Sequence, residues 1–245
     1  MRLLLTNDDG YNGKGLEALV ESLSSKHDVW VVAPDKNRSG VSHGINLTEP
    51  LKICCKAPQK YTCSGVPVDC VINALNGILP SPPDVIISGI NKGANIGTDI
   101  LFSGTCAAAR QAALYGIPGI AVSIESFNDD WQYNAIADFV ARNAEKLATL
   151  CCKDVFVNIN AMSANEYKGW KLTGLSKRYY GDSITLYKAP DGHSYSFFEG
   201  GNIQTEANSD SDFFVVEQGY ISVSRVHAQP LSADDLKEVE LNLLL

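Results

Sequence analysis

The stretch Arg2-Leu3-Leu4-Leu5-Thr6-Asn7-Asp8-Asp9-Gly10 decides how the rest of the chain is read. A short apolar run fits a buried strand, and two carboxylates and a glycine follow it at once. Leu16, Leu19, Val20 and Leu23 come next at i, i+3, i+4 and i+7, the spacing of one helix face. Residues 28–33 (DVWVVA) make a second strand, stopped by Pro34. The same alternation continues. Residues 84–88 (DVIIS), 117–124 and 154–159 read as strands, and 45–55 with 60–64 as a strand pair. One helix accepts Pro67 in its first turn and buries Val71, Ala74, Leu75 and Ile78. An alanine-rich helix starts near Ser103, and another is marked by Ile136, Phe139, Val140, Ala144 and Leu147. Strands alternating with helices predict an α/β fold, a doubly wound, mainly parallel, Rossmann-like sheet covered on both faces.

After residue 160 the character changes. Tyrosine and serine become frequent and the alternation weakens, over Trp170–Thr173, 184–188, 195–198 and 220–226. We read 1–245 as one domain, with an α/β core over 1–160 and a β-rich extension over 161–245. A final helix is expected from about Ala233. The extension is short of core of its own, so it is expected to serve a homodimer or homotetramer.

Composition narrows the function. Among 245 residues, 45% are hydrophobic and 20% charged, and the net charge is −8. Such an acidic chain lacks the cations that stable nucleic-acid binding or an anionic membrane surface demands. An anionic substrate must then be held locally, by a metal ion or by backbone N–H groups. The first apolar run is too short for a signal-peptide core, and no stretch is long enough to span a membrane. Seven cysteines, none at C-x-x-C spacing, fit reduced thiols in a cytoplasmic protein.

In open α/β sheets, ligands sit beyond the carboxyl ends of the strands. Three loops there carry chemistry: Asn7-Asp8-Asp9-Gly10, Pro34-Asp35-Lys36-Asn37-Arg38-Ser39-Gly40, and Gly89-Ile90-Asn91-Lys92-Gly93-Ala94-Asn95-Ile96-Gly97. Their carboxylate, hydroxyl and carboxamide oxygens suit a hard divalent ion better than zinc. Ser103-Gly104-Thr105 opens the alanine-rich helix, whose first N–H groups can take an anion. Each piece alone also reads as a turn or a cap; their convergence on one edge is what points to a site. His43 and His227 are further candidates. A dinucleotide fingerprint, a P-loop and a G-x-S-x-G elbow are all missing.

Five blocks together resemble the SurE (survival protein E) phosphatases, a family of metal-dependent 5′-nucleotidases. They are Thr6-Asn7-Asp8-Asp9-Gly10, Val32-Ala33-Pro34-Asp35-Lys36-Asn37-Arg38-Ser39, Gly65-Val66-Pro67-Val68-Asp69-Cys70, the segment from Ser88 to Gly97, and Ser103-Gly104-Thr105. The resemblance implies metal ligands at Asp8, Asp9, Ser39 and Asn91, with Asp8 and Asp9 catalytic. It implies a phosphate pocket around Asn95, Ser103, Gly104 and Thr105. Ala94, Phe102, Cys106 and Arg225 depart from the usual proline, tyrosine, valine and proline, and none removes a proposed ligand. The expected activity is phosphate release from nucleoside 5′-monophosphates with one divalent ion. Mg²⁺ or Mn²⁺ leads, with Ca²⁺ and Co²⁺ behind. 3′-Nucleotides and polyphosphate are further substrates of related members. Two rival readings are a haloacid-dehalogenase-like phosphatase with a phosphoaspartyl intermediate, and a nucleotide-binding module without turnover.

Overall fold

The computed structural model describes residues 1–231, so the expected helix near Ala233 lies outside the described residues. The first half follows the alternation: β1 (Arg2–Thr6), α1 (Lys14–Ser24), β2 (Asp28–Pro34), β3 (Ile53–Ala57), β4 (Lys60–Cys63) and α2 (Pro67–Asn73). Next come β5 (Val85–Lys92), α3 (Gly104–Leu114), β6 (Gly119–Glu125), α4 (Asn134–Leu150) and β7 (Val155–Met162). The extension adds β8 (Trp170–Thr173), β9 (Lys177–Tyr180), β10 (Ser183–Lys188), β11 (Ser194–Gly200), β12 (Ile203–Glu206), α5 (Asp212–Glu217) and β13 (Ile221–His227).

Nine strands form one sheet in the order β3-β4-β2-β1-β5-β6-β7-β13-β8. Pairing is parallel from β4 through β7, while β3 lies antiparallel to β4 and β13 antiparallel to β7. Leu3 and Leu5 pack on one face with Leu16, Leu19 and Leu23 of α1 and Ile136 and Val140 of α4. Leu4 and Ile86 face the opposite way, against Val71 of α2 and Ala108 and Ala112 of α3. The period-two alternation of β1 thus serves two helix layers at once, and complete burial on both sides explains its unbroken leucines.

The chain winds from β1 out to β4, then returns to start β5 on the other side of β1. That reversal opens a crevice at the carboxyl ends of β1 and β5. Close packing holds its floor. A Cβ on Gly15 would fall 1.9 Å from the Ile90 carbonyl oxygen, so only glycine lets α1 begin against β5.

Residues 45–55 do not form the expected long strand; only Ile53–Ala57 does. The Asn46 N–H donates to Asp69 Oδ1 (3.0 Å), and Asn46 Oδ1 accepts from the N–H groups of Thr48 (3.2 Å) and Glu49 (3.0 Å). Backbone groups that a ladder would need are thereby spent on side chains. Conversely, β5 runs past its expected end at Ser88 through a bulge, where Ser88 to Asn91 oppose Ala121 to Ser123. Beyond residue 160, β13 and β8 complete the main sheet, whereas β10–β11 and β9–β12 form separate two-stranded pairs.

Candidate active site

Asn7 closes the turn after β1. Its Nδ2 donates to the Gly10 carbonyl (2.9 Å) and its Oδ1 accepts from the Gly10 N–H (3.2 Å). Gly10 takes φ +99°, and a Cβ there would sit 2.9 Å from the Lys36 carbonyl carbon. This turn leaves Asp8 and Asp9 at the carboxyl edge, with Asp8 3% exposed.

Two neighbouring loops are tied to this turn. The Arg38 N–H donates to the Asp8 carbonyl (2.7 Å), which brings Ser39 alongside. The Lys92 N–H donates to Asp9 Oδ2 (3.2 Å), which does the same for Asn91. Asn91 spends its Nδ2 on the Gly93 carbonyl (2.8 Å), so its Oδ1 stays available. Ser39 donates its N–H to Asn37 Oδ1 (2.8 Å), and its exposed hydroxyl has no partner among the described residues.

Asp8 meets the start of α3. The Thr105 hydroxyl donates to Asp8 Oδ1. A Cβ on Gly104 would come 3.0 Å from the Asp8 Cβ, so the helix start and the carboxylate are in contact. Burial pushes the Asp8 carboxyl up to about 6, the Asp9 charge adds to the rise, and hydrogen bonds from Thr105 oppose it. Asp9 is also raised, by burial first, with the Lys92 N–H and ammonium pulling it down. Neither aspartate forms an ion pair among the described residues. A buried, uncompensated carboxylate beside a second one is a strained arrangement that a cation would relieve. Among the described residues no third His, Cys, Asp or Glu joins them, and the two loops tied to this turn carry the amide oxygen of Asn91 and the hydroxyl of Ser39. An all-oxygen set of this kind fits a hard divalent ion.

Ser103 is the N-cap of α3: its Oγ accepts from the Cys106 N–H (3.0 Å). Asn95 is held from behind. Its Nδ2 donates to Ser123 Oγ (2.8 Å), its N–H to Asn160 Oδ1 (2.8 Å), and its carbonyl accepts from Asn158 (2.8 Å) and Asn160 (3.1 Å). Ser123, Asn158 and Asn160 are fully buried and were not foreseen. The signal was present: asparagines at i and i+2 in an otherwise apolar strand share one face. Asp212 was also missed; it accepts from the Gly97 N–H (2.8 Å) and the Ser176 N–H (2.8 Å), fastening the loop before α3 to the extension.

The two histidines are held by partners outside this cluster. His43 Nε2 lies 2.9 Å from Gln111 Oε1, six residues and roughly 9 Å along α3 from Thr105. His227 is exposed and pairs with Val155, at the amino end of β7. In the described chain it sits at the edge of the sheet opposite Asp8, because β13 runs antiparallel to β7.

The family model described as "Survival protein SurE" matches residues 3–182. A relative from Treponema pallidum (strain Nichols), "5'-nucleotidase SurE", is 52% identical over 174 residues, covering 68% of this chain and 93% of the relative. One from Desulfitobacterium hafniense (strain DSM 10664 / DCB-2), of the same name, is 39% identical over 249 residues, covering 100% and 98%. The structure titled "Crystal Structure of Sure Protein from Aquifex aeolicus" superposes with a TM-score of 0.83 at 35% identity, covering 98% of both chains. Sequence blocks, strand order and whole-length similarity agree: this chain belongs to the SurE survival-protein family.

Proposed function

We propose that this chain is a metal-dependent phosphatase that releases phosphate from nucleoside 5′-monophosphates. One observation carries the reading: the buried carboxylate of Asp8, with Asp9 beside it, is seated against the first turn of α3. That arrangement supports a cation site beside an anion site. The relatives named 5′-nucleotidase supply the substrate class.

Asp8 and Asp9 would hold the ion through carboxylate oxygens, with Asn91 Oδ1 and Ser39 Oγ as neutral donors. A bound divalent cation polarises the phosphoryl group and neutralises its charge. We assign Mg²⁺ or Mn²⁺, with Ca²⁺ and Co²⁺ behind. The Gly104 N–H and the Ser103 hydroxyl hold phosphoryl oxygens as they gain charge, aided by the positive end of α3. Asn95 keeps one Nδ2 hydrogen for the same purpose, while the Thr105 hydroxyl orients Asp8. Water attacks phosphorus in line as the bond from phosphorus to the nucleoside oxygen breaks. The attacking water gives up a proton and the leaving oxygen takes one, so that inorganic phosphate and the nucleoside hydroxyl result.

A phosphoaspartyl route is disfavoured by Gly10. That chemistry needs a second aspartate two residues after the first, where this chain has a glycine at positive φ with no room for a side chain. We further infer that 161–245 joins copies into a homodimer or homotetramer, because Ile184, Leu186, Phe197 and Phe198 of the β10–β11 hairpin are all exposed. Seven free cysteines support a reducing compartment, which we take to be the cytoplasm.

The test is phosphate release from 5′-AMP by purified protein, with chelator and with each metal restored separately. Turnover in H₂¹⁸O should label the phosphate and leave the protein's carboxylates unlabelled. Release that survives chelation would overturn the reading, and binding of 5′-AMP without release would leave a nucleotide-binding module.

A further inference from the structure

Phe102 immediately precedes Ser103, and its ring is 55% exposed; Leu101 before it is 59% exposed. Neither packs into the buried clusters of the sheet. Two large apolar side chains left in water beside a polar site call for a physical reason.

The ring is presented in a fixed way. The Phe102 N–H donates to the Asp99 carbonyl (3.0 Å), and the Phe102 carbonyl accepts from the Ser42 N–H (3.0 Å). The Ser42 hydroxyl donates to the Leu101 carbonyl (2.6 Å). Tyr180 meets Phe102 edge-on, with centroids 5.9 Å apart and ring planes at 87°. Tyr180 is itself anchored, because its hydroxyl donates to the Asp99 carboxylate, which also pairs with Arg178. Loop, ring and backing aromatic are therefore ordered before any ligand arrives.

We propose that Phe102, backed by Tyr180, is the platform on which the nucleobase of the substrate stacks. This deepens the phosphatase reading above and rests on it. Adjacent Cα atoms are about 3.8 Å apart, so a phosphate seated at Ser103 and Gly104 leaves the far end of the nucleotide within reach of the preceding side chain. A phenyl ring offers a π-face but no donor or acceptor. Such a platform tolerates every base and gains with stacking area, so purines are favoured over pyrimidines, with little discrimination between adenine and guanine. Another surface near the site with exposed apolar side chains is a groove of about 770 Å³ at the carboxyl ends of β2 and β4, with Leu47 on its wall. Glu49, Asp69 and Arg38 line that groove and no aromatic ring does; the missing stacking face favours Phe102.

The experiment measures kcat/KM for 5′-AMP, 5′-GMP, 5′-CMP and ribose 5-phosphate, the last lacking a base. Phe102→Ala should lower kcat/KM for 5′-AMP roughly tenfold more than for ribose 5-phosphate, chiefly through KM, with 5′-CMP between them. Phe102→Trp should restore the preference for purines, and Phe102→Leu, which keeps bulk without a π-face, should not. Leu47→Ala should leave all four substrates as in the wild type. Equal losses on 5′-AMP and ribose 5-phosphate in Phe102→Ala would mean that the ring only supports the loop. A selective loss of 5′-AMP in Leu47→Ala would put the base in the groove. Unchanged kinetics in Phe102→Ala with a smaller particle by light scattering would make the ring a contact between copies. Each of these three results overturns the platform. If the wild type releases phosphate from none of the esters, the phosphatase reading fails instead. Calorimetric titration with 5′-AMP then decides the platform alone: affinity lost in Phe102→Ala supports it, and unchanged affinity overturns it.

Discussion

The Thr105 hydroxyl donates its hydrogen bond to the Asp8 carboxylate across 97 residues of chain, joining the end of β1 to the first turn of α3. Both side chains are buried, so neither can move without disturbing the other. A hydrogen bond to a charged group contributes about 1.5–3 kcal/mol. Thr105→Val keeps the shape and removes the donor; phosphate release should fall about 10- to 100-fold. Thr105→Ser should recover most of it. Initial rates beside thermal melts separate misorientation of Asp8 from unfolding.

Asp8 sets a pH dependence in the metal-free protein. Its carboxyl rises from 3.8 to about 6 on folding, so the native state holds more protons between those values. The contribution to stability is complete below pH 4 and lost as pH rises through about 6, a difference of about 3 kcal/mol. Asp8→Asn should therefore melt higher than the wild type at pH 8 in chelator, and alike at pH 4. With saturating Mn²⁺ the same variant, and Asp9→Asn, should lose about 10²–10³ in rate. Wild-type turnover in both would show that the carboxylates are not the site.

Gly104 has little room for a side chain. A Cβ would lie 3.1 Å from Asp8 Oδ2 and 3.2 Å from Val41 Cγ2. Gly104→Ala should cost activity by displacing Asp8 a few tenths of an ångström, and Gly104→Val should do more, on the order of 10². Inhibition by inorganic phosphate should weaken in the same order. Unchanged inhibition in Gly104→Val would remove the phosphate from this helix start.

Asp212, fully buried, satisfies the backbone N–H groups of Gly97, Ser176 and Phe213 at 2.8 Å each. Asp212→Ala leaves those donors without an acceptor, and a loss of roughly 2–4 kcal/mol in urea-unfolding free energy is expected. Asp212→Asn keeps one acceptor oxygen and should lose less. Because Gly97 sits between Asn95 and Ser103, KM should rise in whatever protein folds.

The alternation of apolar runs and helical stripes was enough to find β1, β2, β5, β6, β7 and the helices between them, because each of these elements buries its own face. It failed at 45–55, where Asn46 and Asp69 draw backbone N–H groups away from a ladder, a competition that apolar count does not register. The acids after β1 and the glycine-rich segment that begins at the end of β5 were legible as a pair, since strand ends of a parallel sheet share one edge. His227 was not, because its edge depends on β13 running antiparallel to β7.

By itself, then, the sequence determined the α/β class and pointed to one sheet edge for the chemistry, while the donor set Asp8, Asp9, Ser39 and Asn91 is what its resemblance to the SurE family implies. The class and the edge follow from short-range periodicity and from side-chain chemistry, both of which a linear chain displays. Only the tertiary structure decided that Thr105 serves Asp8, that Asn158 and Asn160 hold Asn95, and that Phe102 stands in water against Tyr180. Those pairings join residues far apart in the chain. They depend on strand order, register and the closeness of α3 to β1, which are properties of the packed sheet and have no signature in any local stretch.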